Sequence, residues 1–479
     1  MRLTVAVATA LLLGLVAWDF AAATTFVGDD YLFLAFARLE PNPFLAFVRD
    51  LHGGEYYRPL PMLLWAGLDR LGQGGRWPFG LAGFLLHVGN AALVGVLGRG
   101  VGFPARVAWL AGALFLVAPA EREAALWFSA STDLLATLTT LASIVCLLRG
   151  SRLGRVASIG CAALAYFSKE TALVLPLLAV AALSTRRISW RGRIAPVLPH
   201  GLLAAGYLGA RFAVLHGLGG TNDPLAPWWG RGLQILGGVF HAVTGYAPIP
   251  EAMAWLVGGA LLLAAGWFAL RTRAWFPILW TLLALLPLPA AGWVVGARYF
   301  YLPAVGLIFM LALAIDARGT AARVTAISLL AVLGLACSVT RMGEVRRYRA
   351  VLAAAREAVV AGGRAGHHVF LVRNAVKDLD LALKLTSPAD RLPQPLLVIP
   401  DVPASFVAMP DGLADRADFL LARPPLPPAG AYRFGNQRVM GLARREEAPD
   451  LDDVLARLPE LRIVELLPAR GPVTWRDVR

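Results

Sequence analysis

Apolar runs of roughly 15–20 residues recur along this chain from its N-terminus to about residue 341. A helix of that length matches the ~30 Å hydrocarbon core of a bilayer. Lipid offers no hydrogen-bond partner to a backbone that is not helical or closed into a barrel. The chain therefore reads as a polytopic α-helical membrane protein. Its composition agrees: 58% hydrophobic and 16% charged over 479 residues, with a mean hydropathy of +0.62. Soluble domains carry about 25% charged residues.

Spans are expected near 3–23, 81–98, 104–118, 133–148, 156–168, 171–185, 195–215, 251–270, 274–292, 299–316 and 322–341. The first segment has the basic start, apolar centre and AAA tail of a signal peptide. Its length, and the spans behind it, favour an uncleaved first helix. Residues 231–250 are apolar but Gly-rich and carry His241, which suits an interfacial or re-entrant piece.

Arginine placement sets the orientation. The net charge is +14, and lysine occurs only at Lys169, Lys377 and Lys384. With the N-terminus inside and 231–250 not spanning, the inner loops hold Arg99 and Arg106; Arg149, Arg152 and Arg155; Arg186, Arg187, Arg191 and Arg193; Arg271 and Arg273; Arg318 and Arg323. Every inner loop is then basic, as the positive-inside rule asks. This gives about 11 transmembrane helices, a cytoplasmic N-terminus and an extracytoplasmic C-terminus. An inner (cytoplasmic) membrane is the expected location. No basic stripe with interleaved aromatics appears, so nucleic acid is not an expected partner. Cys146, Cys161 and Cys337 lie in apolar runs and read as small core residues. No P-loop, GxGxxG, HExxH or paired CxxC occurs, so nucleotide-driven transport and zinc chemistry lack support.

The texture changes near residue 342. An amphipathic helical stretch is followed by the strand-like HHVFLVR, PLLVIP and LRIVELLP. The expected division is a transmembrane module over 1–341 and a small α/β extramembrane domain over 342–479.

The opposite, outer face collects acidic, basic and aromatic residues from distant segments. Asp29 and Asp30 follow the first span. They read either as a solvated turn or as a general base, the second carboxylate tuning the first. Tyr56, Tyr57 and Arg58 follow Glu55. Arg58 precedes Pro59 in extended backbone and suits a phosphate, or else snorkels beside an aromatic belt. Glu123 and Asp133 flank a turn between two spans, where Asp133 also suits a helix cap. Lys169 and Glu170 mark a tight turn. Arg298 opens a helix bearing Tyr301, where a cation opposes the helix dipole and a bound anion relieves it.

Four of these strings resemble one family in order. EYYRPLPMLLW, continuing to His87 and Asn90, is similar to the first-loop-to-second-helix segment of the transmembrane O-mannosyltransferases that carry tetratricopeptide repeats. VAPAEREAALWFSASTDLL, with Pro119, Glu123 and Asp133, resembles the next signature. FSKETALVLPLL resembles the KE-containing turn, and ARYFYLPAVG the R-x-x-Y-x-P-x-x-G helix start. The matches fall within residues 26–306. The chain departs from the family at Ala118, Ala297, and Ser131 with Thr132, and no tetratricopeptide array follows.

The resemblance implies a GT-C fold and a glycosyltransferase of mannosyltransferase-like type, acting on the extracytoplasmic face. Its donor would be a polyprenyl-phosphate-linked sugar and its acceptor a hydroxyl on protein, lipid or cell-envelope glycan. Asp29 or Asp30 would be the catalytic base of an inverting transfer. Arg58, Lys169 and Arg298 are the expected donor-phosphate ligands. Tyr57, Glu123, Asp133, Glu170 and Tyr301 are expected to bind sugar or acceptor, or to support the base. A divalent metal is compatible with the acids but not required by them. Two rivals remain: a lipid-linked glycan transporter or flippase, and an inactive GT-C-like binding or assembly subunit.

Overall fold

The structure, a computed structural model, describes residues 12–18, 20, 26–27, 30–39, 42–50, 56–118, 127–217, 235–240, 251–272, 274–288, 297–366, 369–373, 383, 397–401, 406–410, 432–434, 437–441, 461–467 and 474–477. Asp29, Glu55, Glu123, His241 and most of the first expected span lie outside these residues. The chain groups into two compact units. One comprises Met1–Ala23, Glu55–Pro61 and Trp77–Met342; the other comprises Thr24–Gly54, Met62–Arg76 and Gly343–Arg479.

Helices dominate. They are α1 (Asp30–Leu39), α2 (Pro59–Gly72), α3 (Trp77–Gly100), α4 (Ala105–Val117), α5 (Ser131–Leu148), α6 (Arg152–Ser168), α7 (Leu175–Leu183), α8 (Leu198–Leu215), α9 (Glu251–Thr272), α10 (Trp275–Leu285), α11 (Tyr301–Asp316) and α12 (Thr320–Arg364). Among the described residues, five helical stretches are long and apolar enough to cross a membrane: Trp77–Gly100, Phe128–Leu148, Trp190–Leu215, Arg298–Asp316 and Thr320–Arg364. Apolar side chains on their outer faces and on neighbouring helices stay uncovered. Leu153, Leu202, Leu256, Leu263 and Val332 are 63–79% exposed. Exposed apolar surface of that extent on helices suits lipid. The protein is a multi-pass helical membrane protein.

The first unit packs α3 against α4 and α5, α5 against α6, and α11 against α4 and α10. Val94, Leu97, Leu114, Phe115, Ile144, Trp280 and Phe309 fill the shared core. Lipid tails are as apolar as leucine, so close backbone approach and buried hydrogen bonds must fix these contacts. A Cβ on Gly112 would lie 2.8 Å from the Ala91 carbonyl oxygen, and one on Gly306 would collide with the Pro277 carbonyl and Thr281. Asn90 Nδ2 donates to the Leu134 carbonyl at 2.9 Å. His87 bridges two helices. Its Nε2 lies 3.1 Å from the Leu116 carbonyl oxygen and its Nδ1 2.7 Å from the Tyr301 hydroxyl. A carbonyl only accepts, so Nε2 carries the proton and Tyr301 donates to Nδ1.

The second unit holds α1, the continuation of α2, the far part of α12 and two sheets. In the four-stranded sheet, β1 (Val369–Arg373) lies between β2 (Leu397–Asp401) and β6 (Leu461–Leu467), parallel to both. Its register pairs Val369 with Leu397 and with Leu461. The edge strand β7 (Thr474–Asp477) runs antiparallel to β6. A second sheet, β3-β5-β4, is antiparallel and built from Phe406–Pro410, Gln437–Gly441 and Tyr432–Phe434.

Candidate functional site

Three short 3-10 segments, each feeding an apolar helix, place charged and aromatic residues at helix ends. Phe128–Ala130 leads into α5, Glu170–Val174 into α7 and Ala297–Phe300 into α11. At Lys169 the backbone is extended (φ −162°, ψ 142°), which stops α6 and turns the next residue away. Pro59 at the first position of α2 fixes its start, because its missing N–H costs nothing there. Arg58 thereby stands just ahead of the helix.

Within the first unit these ends converge into one charged network. Arg58 forks onto Glu170, its Nε donating to Oε2 at 3.0 Å and its Nη2 bonding Oε1. Such bidentate pairs fix direction as well as charge. Tyr56 lies 4.3 Å under the Arg58 guanidinium, ring centroid to Cζ. Arg211 reaches the same carboxylate at 3.8 Å and contacts the Tyr207 hydroxyl at 3.4 Å. Tyr207 in turn donates to the Tyr57 carbonyl at 3.0 Å.

Lys169 is 2% exposed, and its Nζ donates to Asp133 Oδ1 at 2.6 Å. The ammonium also faces the Tyr299 ring at 4.5 Å. Arg298 stacks on Trp127 at 3.9 Å and on Tyr299 at 5.2 Å. Tyr299 thus sits between the two cations. Among the described residues, Arg58, Lys169, Arg211 and Arg298 gather with two carboxylates, Glu170 and Asp133.

The electrostatics follow. Burial pushes the Glu170 carboxyl up, but Arg58, then Lys169 and Arg211, outweigh it and hold it at about 2. Burial works against the Arg58 charge, and Glu170 more than restores it, raising its value above that of a free arginine. Asp133 Oδ2 is buried and has no hydrogen-bond partner among the described residues.

Several expected site residues take other places. Asp133 lies in the first turn of α5 but makes no cap; its oxygen serves Lys169 instead. Tyr57 is 3% exposed, packed on Phe167 and Tyr207, and offers no open stacking face. Tyr301 is 1% exposed and donates to His87 inside the helix core. Arg211, which no sequence motif singled out, joins the network from α8. Its signal was available, since it is the lone Arg, Lys, Asp or Glu within 195–215, and a charge inside a span points to function.

Asp30 belongs to the second unit. It is fully buried as the first residue of α1, and its Oδ2 accepts from the Val27 amide at 3.0 Å while its own amide donates to the Val27 carbonyl at 3.1 Å. That reciprocal pair fixes the carboxylate at a helix N-terminus, where negative charge is favoured. Among the described residues no set of three His, Cys, Asp or Glu side chains gathers as metal ligands.

No protein-family model matches the chain, and no curated protein matches it at significance. Solved structures similar to it include the following two. One is ArnT from Cupriavidus metallidurans in the apo state, at 15% identity and a TM-score of 0.41, covering 92% of this chain and 97% of that one. The other is the archaeal oligosaccharyltransferase AglB from Archaeoglobus fulgidus, in complex with an inhibitory peptide and a dolichol-phosphate. That match has 12% identity and a TM-score of 0.41, and covers 80% of this chain and 63% of AglB. Both TM-scores are below 0.5, so neither likeness assigns chemistry to this chain.

Proposed function

We propose that the chain is a GT-C-like membrane glycosyltransferase. It would move a sugar from a polyprenyl-phosphate-linked donor to a hydroxyl acceptor on the extracytoplasmic face. The observation that carries this reading is the convergence of Arg58, Lys169, Arg211 and Arg298 at helix ends, braced by Glu170, Asp133 and three aromatic rings. Cations held there by carboxylates are preorganised for an anion.

The chemistry rewards that arrangement. The donor is a phosphodiester with one negative charge, and the released carrier phosphate is a monoester with up to two. Charge therefore builds on the phosphate as the anomeric C–O bond breaks. Cations beside it stabilise the transition state more than the bound donor, which is the condition for catalysis. Arg58, Lys169 and Arg298 keep their donor-phosphate role in this proposal, and Arg211 joins them. Asp29 or Asp30 takes the proton of the acceptor hydroxyl as its oxygen attacks the anomeric carbon. One displacement inverts the configuration. Glu170 and Asp133 position the cations, and Tyr301 supports the helix that presents Arg298. The module 1–341 carries the transfer, and 342–479 lies on the acceptor side.

The test is reconstitution in liposomes with polyprenyl-phosphate sugars and an assay for released carrier phosphate. Wild type should release it. Asp29→Asn and Asp30→Asn, singly or together, should lower release about 100- to 10,000-fold. Arg298→Ala and Arg211→Ala should weaken donor use. Carrier movement across the bilayer with no bond cleavage would replace the transferase by a transporter.

A further inference from the structure

A Ser or Thr hydroxyl in a membrane helix can return to the carbonyl one turn back, which satisfies it within its own helix. Thr139, Ser168, Thr281 and Ser338 all do so, onto Leu135, Leu164, Pro277 and Gly334 at 2.6–3.1 Å. The face of α5 that carries Asp133 departs from that habit. Thr137, Thr140 and Ser143 follow Asp133 at steps of four, three and three residues. They form a stripe about 15 Å long. At its far end Ser143 turns to α6. Its Oγ donates to the Ser158 carbonyl at 2.8 Å and lies 3.1 Å from the Ser158 Oγ. Ser158 Oγ in turn lies 2.8 Å from Nε2 of His200, in the first turn of α8. Asp133, Thr137, Thr140, Ser143, Ser158 and His200 are all more than nine-tenths buried.

Three buried atoms along this route lack a partner among the described residues. Asp133 accepts from Lys169 at Oδ1, at 2.6 Å, and its Oδ2 is unmet. Asn90 of α3 reaches the Leu134 carbonyl with Nδ2 at 2.9 Å, and its Oδ1 is unmet. The Thr140 Oγ1 meets neither its own helix nor a neighbour. Helix packing accounts for the Ser143–Ser158–His200 clasp, since such bonds hold membrane helices together. It does not account for a carboxylate oxygen, an amide oxygen and a hydroxyl left unmet beside that clasp, each of which costs stability in a water-free interior. Water donates to all three kinds of oxygen. Residues one turn apart have Cβ atoms about 5–6 Å from each other, a spacing that one bridging water spans. Titratable groups stand at the two ends, Asp133 and His200, and intramembrane polar chains of that kind mark proton pathways.

We propose that this face of α5 is a hydrated proton relay joining His200 to Asp133. The Ser158 hydroxyl can donate to Ser143 or to His200, and a relay alternates between those two orientations. A proton on His200 Nε2 passes to Ser158 as the Ser158 proton moves on to Ser143. Waters beside Thr140 and Thr137 carry the same hop to Asp133 Oδ2. One proton enters and one leaves, and every hydroxyl ends with the proton count it began with. The arginine-derived orientation puts the first turn of α8 and the first turn of α5 on opposite sides of the membrane, so the relay runs down a transmembrane proton gradient. It does not rest on the transferase reading.

Proteoliposomes loaded with a pH-sensitive dye test it, with a potassium diffusion potential as the driving force and no donor sugar present. Wild type should move protons faster than protein-free vesicles. Thr140→Val keeps the shape of the side chain and removes the hydroxyl, and Ser158→Ala breaks the link to His200. Each should slow the flux about 5- to 10-fold. Thr140→Ser returns a hydroxyl and should restore the flux. Thr139→Val removes a hydroxyl that serves only its own helix and should conduct as wild type does. Wild-type flux equal to that of protein-free vesicles overturns the relay and leaves the Ser143–Ser158–His200 contacts as a helix clasp. Flux unchanged in both Thr140→Val and Ser158→Ala overturns it equally. Carrier-phosphate release is measured separately. Release without proton flux removes the relay and leaves the transferase, and flux lost in the variants, with no release from wild type, keeps the relay and removes the transferase.

Discussion

Lys169 and Asp133 are nine-tenths buried or more, and their pairing lets both charges exist there. Removing one partner of a buried pair costs about 3–5 kcal/mol, whereas replacing both by apolar groups is often neutral or stabilising. Lys169→Met should therefore lower the thermal midpoint in detergent sharply, and Lys169→Met/Asp133→Leu should recover most of it. Equal losses in the single and double variants would contradict the pairing. Glu170 gives a pH prediction. Its carboxyl falls from 4.5 to about 2 because Arg58, Lys169 and Arg211 overcome burial. A depressed folded value means that folding favours the ionised form. The contribution is complete above the unfolded carboxylate range and is lost as pH falls from about 4.5 towards 2. Wild-type stability should drop across that window, and Glu170→Gln should start lower at neutral pH and drop less. Sequence identified Arg58, Lys169, Glu170, Asp133 and Arg298 as candidate site charges gathered on one expected face. It did not reveal the pairs Arg58–Glu170 and Lys169–Asp133, because each joins segments whose adjacency comes only from helix packing. Arg211 belongs to no motif, and its one signal is that it is a lone charge within an apolar run.

At the scale of elements, periodicity recovered most helix positions, with 104–118 appearing as Ala105–Val117 and 299–316 as Tyr301–Asp316. Two features escaped it. The 171–185 run opens as a 3-10 segment, and such segments leave little trace in hydropathy. The expected span 322–341 and the amphipathic stretch behind it form one helix, Thr320–Arg364. Nothing there breaks a helix: the stretch holds no proline, and glycine at 343 costs only about 1 kcal/mol. The α10–α11 contact makes its own prediction. A side chain at Gly306 must displace the Pro277 carbonyl or Thr281, and both belong to rigid helix. Gly306→Val should cost about 1–3 kcal/mol. Gly201→Val, on an open helix face, should change little in the same unfolding assay.

For the whole molecule, the arginine-derived orientation predicts which surfaces face which compartment. In a variant freed of native cysteines, Arg152→Cys and Arg191→Cys should resist a membrane-impermeant maleimide in intact cells, and Phe44→Cys, 66% exposed, should react. The reverse pattern would invert the topology. Sequence supplied the membrane class, whereas the grouping of 24–54 and 62–76 with 343–479 depends on contacts between distant segments. The His87 clasp also imposes an order in time. The chain is made from its N-terminus, so α3 and α4 are in place long before α11. Until Tyr301 arrives, the Nδ1 nitrogen of His87 has to find water or another donor inside lipid, where an unmet polar group costs several kcal/mol. The tyrosine of α11 therefore closes a polar position that α3 and α4 leave open.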